Sequence, residues 1–109
     1  MMDTNRIHKA LANSLRRDIL AWLKTPSDAF PGGYIDLRHG VPAHAIQARS
    51  GLSQSTVSAH LAVLVEAQLL ISTRIGQWMF LSRNEDVIRT FAEEICLHLW
   101  RILTLRELV

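Results

Sequence analysis

The stretch Ile46-Gln47-Ala48-Arg49-Ser50-Gly51-Leu52-Ser53-Gln54-Ser55-Thr56-Val57-Ser58-Ala59-His60-Leu61-Ala62-Val63-Leu64-Val65-Glu66-Ala67-Gln68-Leu69-Leu70 decides the architecture of this 109-residue chain. Ile46 lies on the apolar side of a helix that stops at Ser50-Gly51, glycine being favoured just past a helix end. Ser53 then marks a second helix start, because its hydroxyl can accept a bond from a free N–H of the following turn. From Gln54 to about Gln68 the apolar residues Val57, Leu61, Leu64 and Val65 fall three or four apart, one stripe of an amphipathic helix. Two helices therefore meet at the tight turn Ser50-Gly51-Leu52-Ser53.

Beyond Leu70 the period changes from helical to alternating. Ile71, Thr73 and Ile75 alternate with Ser72 and Arg74, and Trp78-Met79-Phe80-Leu81 follows Gly76-Gln77. A Gly-X pair between two β-prone runs predicts a hairpin, with glycine supplying the positive φ of a type II′ turn. Trp78 and Phe80 alternate within one strand and are read as core rather than as base-stacking residues. Upstream, Gly40-Val41-Pro42 is read as opening the helix before the turn, since a proline's missing N–H costs nothing in a first helical turn. Ile7, Leu11, Leu15, Ile19 and Leu23 recur at helical spacing, and Asn13 or Ser14 can cap a helix running to about Lys24. Pro26, Pro31 and Gly32-Gly33 interrupt that pattern, so Thr25 to His39 is a loop with a short strand near Tyr34-Ile35-Asp36-Leu37. Asn84 can cap a last helix toward Val109. The fold expected is one domain over 1–109, mostly α with a β-hairpin wing.

Composition narrows the function. Half of the chain is apolar, which argues against disorder. One cysteine, Cys96, leaves no intrachain disulfide, which fits a reducing cytosol. The start, Met1-Met2-Asp3-Thr4-Asn5-Arg6, has no apolar signal core, and charges interrupt every apolar stretch before it could span a membrane. A soluble, cytoplasmic protein with no membrane partner is expected. Residues 1–24 carry five basic and two acidic side chains, and residues 38–83 carry four basic and one acidic, so both are net +3. Residues 25–37 and 84–109 are each net −2. Positive charge collected in two segments suits a polyanion-binding face, and equally suits ordinary solvated surface.

The second helix of the pair carries the chemistry. In a helix-turn-helix the first helix braces the second, whose N-terminal residues reach into the DNA major groove. Such a helix needs short polar side chains outward and an apolar face behind. Gln54, Ser55, Thr56, Ser58, Ala59 and His60 supply the first, while Val57, Leu61 and Leu64 supply the second. Glutamine can read adenine, hydroxyls can bond base edges or phosphates, and an alanine methyl can touch thymine. Arg74 and Gln77 at the hairpin tip would reach phosphate or minor groove. A plain capped surface helix and a solvent-facing turn are the bland alternatives, and it is the combination of turn, hairpin and charge that favours double-stranded DNA.

The run Gly51-Leu52-Ser53-Gln54-Ser55-Thr56-Val57-Ser58-Ala59-His60-Leu61, with Leu64 and Leu69-Leu70 behind it, resembles the recognition helix of the ArsR/SmtB repressors. His8-Lys9-Ala10-Leu11-Ala12 with Leu15-Arg16-Arg17-Asp18-Ile19-Leu20 resembles that family's opening, and Arg74-Ile75-Gly76-Gln77-Trp78 its wing. The resemblance implies a winged-helix homodimer that binds an operator near its own promoter and releases it when an inducer binds.

Ile88, Phe91, Ile95, Leu99 and Ile102 follow helical steps along the last helix, and Ala92, Leu103, Leu105, Leu108 and Val109 widen the apolar surface. A helix apolar over so much of its circumference needs more cover than one small core supplies. Pairing of residues 84–109 with a second copy, together with Ile7 and Leu11, would bury it about a twofold axis and place two reading helices on an inverted repeat.

Relatives sense metals through cysteines on the brace helix or an Asp/His/His/Glu set on the last helix. Here the brace helix has no cysteine, and Ile88 and Arg101 stand where the set that includes Asp86 and His98 would need a histidine and a glutamate. Half a tetrahedral site holds zinc poorly, so no metal is expected. No cofactor is indicated either. Cys96, beside the apolar stripe, is read as a buried, unreactive thiol. The Thr25–His39 loop, with Phe30 and Tyr34, could line a pocket for a small-molecule inducer or extend the wing side. An enzyme is not expected, since no phosphate loop and no nucleophile with a base and orienter is visible. The rival reading is a protein-interaction winged helix, but its exposed helix should carry acidic or large apolar residues, and Gln54 to His60 has none.

Overall fold

Three short polar side chains set three helix starts. Asp3, Asn13 and Ser53 each accept a bond from the backbone N–H three residues on, that of Arg6, Arg16 and Thr56. The computed structural model describes residues 2–108, with side chains described through Trp100. Its order is α1 (Thr4–Leu11), α2 (Ser14–Lys24), α3 (Pro26–Ala29), β1 (Val41–Pro42), α4 (Ala43–Ser50), α5 (Gln54–Glu66), β2 (Leu70–Ile75), β3 (Trp78–Arg83) and α6 (Glu85–Leu108). Of the two possible caps for α2, the structure uses Asn13. α4 ends where Gly51 turns left-handed, at φ 71°, and returns its N–H to the Gln47 carbonyl.

The wing is a three-stranded antiparallel sheet in the order β1-β3-β2. β2 and β3 pair from Leu70↔Arg83 to Ile75↔Trp78. Gly76 has φ 61° while Gln77 stays at negative φ, as a type II′ hairpin requires. Val41 and Pro42 do not begin the helix, as the sequence reading had them, but pair with Leu81 and Phe80 on the edge of β3. Proline tolerates this edge position because it has no N–H to offer a ladder. Its extended backbone, at ψ 145°, then lets it stand as the residue just before α4. Gly40 permits the approach: a Cβ there would lie 2.1 Å from the Leu81 carbonyl oxygen, and its φ is 98°.

The expected strand near Tyr34–Leu37 is absent as well. A short helix, α3, occupies the start of the loop, and Asp36 closes a tight turn onto Gly40 by two backbone bonds. The Asp36 carboxylate accepts the backbone N–H groups of His39 and Arg38, each at 2.8 Å, and lies 3.0 Å from His39 Nδ1. Those bonds, that of His39 first, hold its carboxyl below the usual carboxylate range.

Ile7, Ile19, Ile46, Leu64, Leu69 and Leu81 have essentially no exposed surface and fasten α1, α2, α4, α5 and the sheet to one core. Each such side chain contributes about 1.5–3 kcal/mol by leaving water. Ile7 therefore faces inward in its own chain and has no surface left for the interface to which its spacing had assigned it. Arg16 ties the base of this core together. Its Nε donates to the Ala10 carbonyl at 2.7 Å and its Nη2 to that of Lys9 at 3.2 Å, satisfying acceptors at the end of α1.

Candidate nucleic-acid interface

α5 buries Val57, Leu61 and Leu64 and leaves Gln54, Ser55, Thr56, Ser58 and Ala59 exposed on the other side. The Ser53 hydroxyl accepts the Thr56 N–H and donates to Thr56 Oγ1 at 2.9 Å, with Ser55 Oγ 3.3 Å away. Thr56 is thus partly occupied by the cap, whereas Gln54 and Ser58 have no side-chain hydrogen-bond partner among the described residues.

Gln54 and Ser58 face the wing across a concave cleft of about 630 Å³. Arg74 and Gln77 line its opposite wall, so residues about twenty apart in sequence share one open surface. The cleft also takes in Pro42, Ala43 and His44 from the start of α4 and Trp78 and Met79 from β3. No acidic side chain is among these lining residues, which suits a polyanion.

His44, Trp78 and Met79 are the site residues that sequence reasoning passed over. Trp78 had been assigned to the core with Phe80. Phe80 is buried, but Trp78 is 46% exposed. The alternation did place both rings on one face, where they stack at 6.0 Å between centroids. Trp78, however, lies two residues nearer the hairpin tip, where the cover is incomplete. Its ring is met edge-on by His44 at 4.9 Å and by Tyr34 at 5.9 Å. Tyr34 and Phe30 part ways, for Phe30 goes into the core with its edge against Trp22.

His60 departs from the expected set of readers. It is half-buried, and its Nδ1 lies 3.0 Å from Nη1 of Arg16 on α2. A guanidinium only donates, so Nδ1 accepts and the imidazole proton sits on Nε2. The ring braces α5 against α2 instead of pointing with Gln54 and Ser58. Arg49 braces the other helix of the pair: its guanidinium lies 4.8 Å over the Trp22 ring and donates to the Ala29 carbonyl at 2.6 Å.

In α6, Val87, Ile88 and Phe91 pack against the chain's own core, and His8 meets Phe91 edge-on at 5.2 Å. Leu11 is half-buried beside them and Ile95 is half-buried farther along α6. Leu97, Leu99 and Trp100 stand 67%, 53% and 70% exposed. Cys96, expected to be buried, is exposed. Ile102, placed on the apolar stripe by its spacing, lies outside the described side chains, as do Arg101 and residues 103–109. Asp86 pairs with Arg89 at 3.6 Å, and among the described residues no three His, Cys, Asp or Glu side chains gather as a metal site would need. No helix among them is long and apolar enough to cross a membrane.

No family model matches the sequence. Over 94 residues the chain is 36% identical to the uncharacterized HTH-type transcriptional regulator YbzH of Bacillus subtilis, spanning 84% of this chain and 94% of that protein. The ArsR family transcriptional regulator RHA00566 shares the fold, with a TM-score of 0.72 at 15% identity over 95% of this chain and 97% of that one. Mb0332 of Mycobacterium bovis, a homodimeric winged helix-turn-helix DNA-binding domain and possible ArsR-family regulator, gives 0.60 at 27% identity, covering 90% of this chain and 80% of that one. HlyU of Vibrio cholerae gives 0.58 at 26% identity, covering 84% and 87%. Regulators of this kind point to a non-enzymatic, DNA-binding function. With a tight-turned helix pair, a paired wing strand and exposed Gln54 and Ser58 facing Arg74 and Gln77, the chain belongs to the ArsR-family winged helix-turn-helix transcriptional regulators, a group of DNA-binding proteins.

Proposed function

We propose that this regulator is a cytoplasmic homodimeric repressor that holds an inverted-repeat operator and releases it to a small-molecule inducer. The observation that carries the operator reading is the single open surface shared by Gln54, Ser58, Arg74 and Gln77. A recognition helix in the major groove would put Gln54, Ser55, Ser58 and Ala59 at base edges, with Thr56 at the backbone. Arg74 and Gln77 would then hold the flanking phosphates or minor groove. His60 serves this site from behind, through Arg16.

The homodimer is supported by α6, which has its first turns on the body and then carries Ile95 and Leu99 away from it. It is supported also by Mb0332, described as homodimeric. A second copy would cover the stripe that Leu11, Ile88 and Phe91 begin and Ile95, Leu99 and Ile102 continue. Two recognition helices about one DNA turn apart, some 34–36 Å, would then meet two half-sites. Selection of bound duplexes from a random pool tests this reading. An inverted repeat is the expected product, and a pool that stays random would overturn it.

A further inference from the structure

We infer that His44 is a proton-dependent phosphate clamp of the DNA interface, an inference that rests on the DNA-facing reading of the cleft. His44 lies in the first turn of α4, outside the recognition helix and the wing, yet it lines the same concavity as Gln54, Ser58, Arg74 and Gln77. Its side chain is exposed and meets Trp78 edge-on, at 4.9 Å and 84°, which places the ring on the cleft between α5 and the wing. A DNA strand passing from the recognition helix to the wing must cross that gap. Arg74, of β2, is the charged group on the wall with it. α5 contributes Gln54 and Ser58, β3 contributes Trp78 and Met79, and none of these ionises near neutrality. Tyr34 meets the same Trp78 ring edge-on at 5.9 Å and does not line the cleft.

A neutral imidazole offers a phosphate one N–H; a protonated one offers a charge-assisted bond and a full positive charge. Histidine is the side chain whose charge ordinarily changes between pH 5 and 8. With no carboxylate on the wall to compete, the phosphate is the natural acceptor. Wild-type affinity should therefore rise as pH falls through this range, equally for all sequences, because a backbone contact carries no base information.

The test is fluorescence anisotropy of the full chain on a scrambled duplex at pH 6 and pH 8, each over a salt series. Wild type should show a steeper dependence of log K on log salt at pH 6 than at pH 8, by about 0.9 for each protomer engaged. His44→Gln should have the shallower slope at both pH values. At pH 6 the wild type should thus lose about threefold more affinity per protomer between 50 and 200 mM salt than the variant. His60→Gln, on the Arg16 side, should retain the wild-type pH response. Equal pH responses in wild type and His44→Gln would overturn the clamp. Failure of the operator reading would register separately, as equal binding of selected and scrambled duplexes with the pH response intact.

Discussion

Nη1 of Arg16 and Nδ1 of His60 lie 3.0 Å apart, so a residue on α2 holds the middle of the recognition helix while its other nitrogens hold the end of α1. Arg16→Ala removes three donors at once and leaves the part-buried Ala10 carbonyl without its partner, while the exposed Lys9 carbonyl turns to water. A loss of about 1–3 kcal/mol of stability is expected, read as a lowered midpoint in urea. Arg16→Lys should recover little of it, because a single ammonium nitrogen cannot reach acceptors that three separate guanidinium nitrogens serve.

Base reading and backbone clamping should separate by mutation. Gln54→Ala should cost about 1–3 kcal/mol on the selected operator and relax preference at particular base pairs. Arg74→Ala should weaken selected and scrambled duplexes alike and lower the salt slope by about one phosphate contact per protomer. Anisotropy with both duplexes distinguishes them, and identical behaviour of the two variants would show the assignment of roles to be wrong.

Leu99 offers a cleaner probe of the dimer than Phe91. Phe91 packs against the chain's own core and His8, so Phe91→Glu should damage fold and dimer together. Leu99 is 53% exposed, and Leu99→Glu should leave helical circular dichroism intact while halving the mass seen by light scattering. A wild-type chain that scatters as a 12.3 kDa monomer at micromolar concentration would rule out the homodimer.

Gly40→Ala should be severely disruptive for a surface-turn substitution. The new Cβ meets backbone, the Leu81 carbonyl oxygen at 2.1 Å, and cannot be relieved by a side-chain swing. Positive φ adds a further cost of about 1 kcal/mol or more. Loss of the β1–β3 pairing is expected, visible as rapid amide exchange at Leu81.

Asp36 should make the 36–40 turn acid-sensitive. Its folded-state carboxyl is held low by the N–H groups of His39 and Arg38, so ionised Asp36 stabilises the turn. That contribution is complete above the ordinary carboxylate pKa and fades as pH falls through the lowered folded value. Protection of the Arg38 and His39 amides, measured as exchange relative to the intrinsic rate at each pH, should fall below about pH 4 in the wild type. In Asp36→Asn, whose amide does not titrate, that protection should be weaker and should not change with pH over this range.

The helix pair was legible because Ser53, Gly51 and the Val57-Leu61-Leu64 stripe each answer to local rules. Other assignments failed where a residue's neighbours come from far along the chain. Pro42 looks like a helix opener by itself, and only the approach of β3, nearly forty residues later, makes it an edge-strand residue. Ile7 fits an amphipathic stripe, but spacing cannot say whether the buried side of α1 meets its own core or a copy's. His60 looks like a reader until Arg16 comes within bonding distance. His44 and Trp78 became site residues by juxtaposition alone, one from α4 and one from β3. Gln54, Arg74 and Gln77 could be named as candidates in advance because a helix start and a hairpin tip expose their side chains, and the structure places all three on one cleft.

Pro42 ends β1, and α4 begins at the very next residue. The joint between the wing sheet and the helix pair thus has no slack, and the pyrrolidine ring locks one of its two dihedrals at φ −66°. Wing and recognition helix are therefore expected to move together, α4 following the sheet and α5 following α4. An effector acting on this chain consequently has no internal hinge at that joint by which to withdraw one reading element and leave the other in place. Under the proposed release by an inducer, control would fall to the relative pose of the two protomers, and release from DNA would be felt at helix and wing simultaneously.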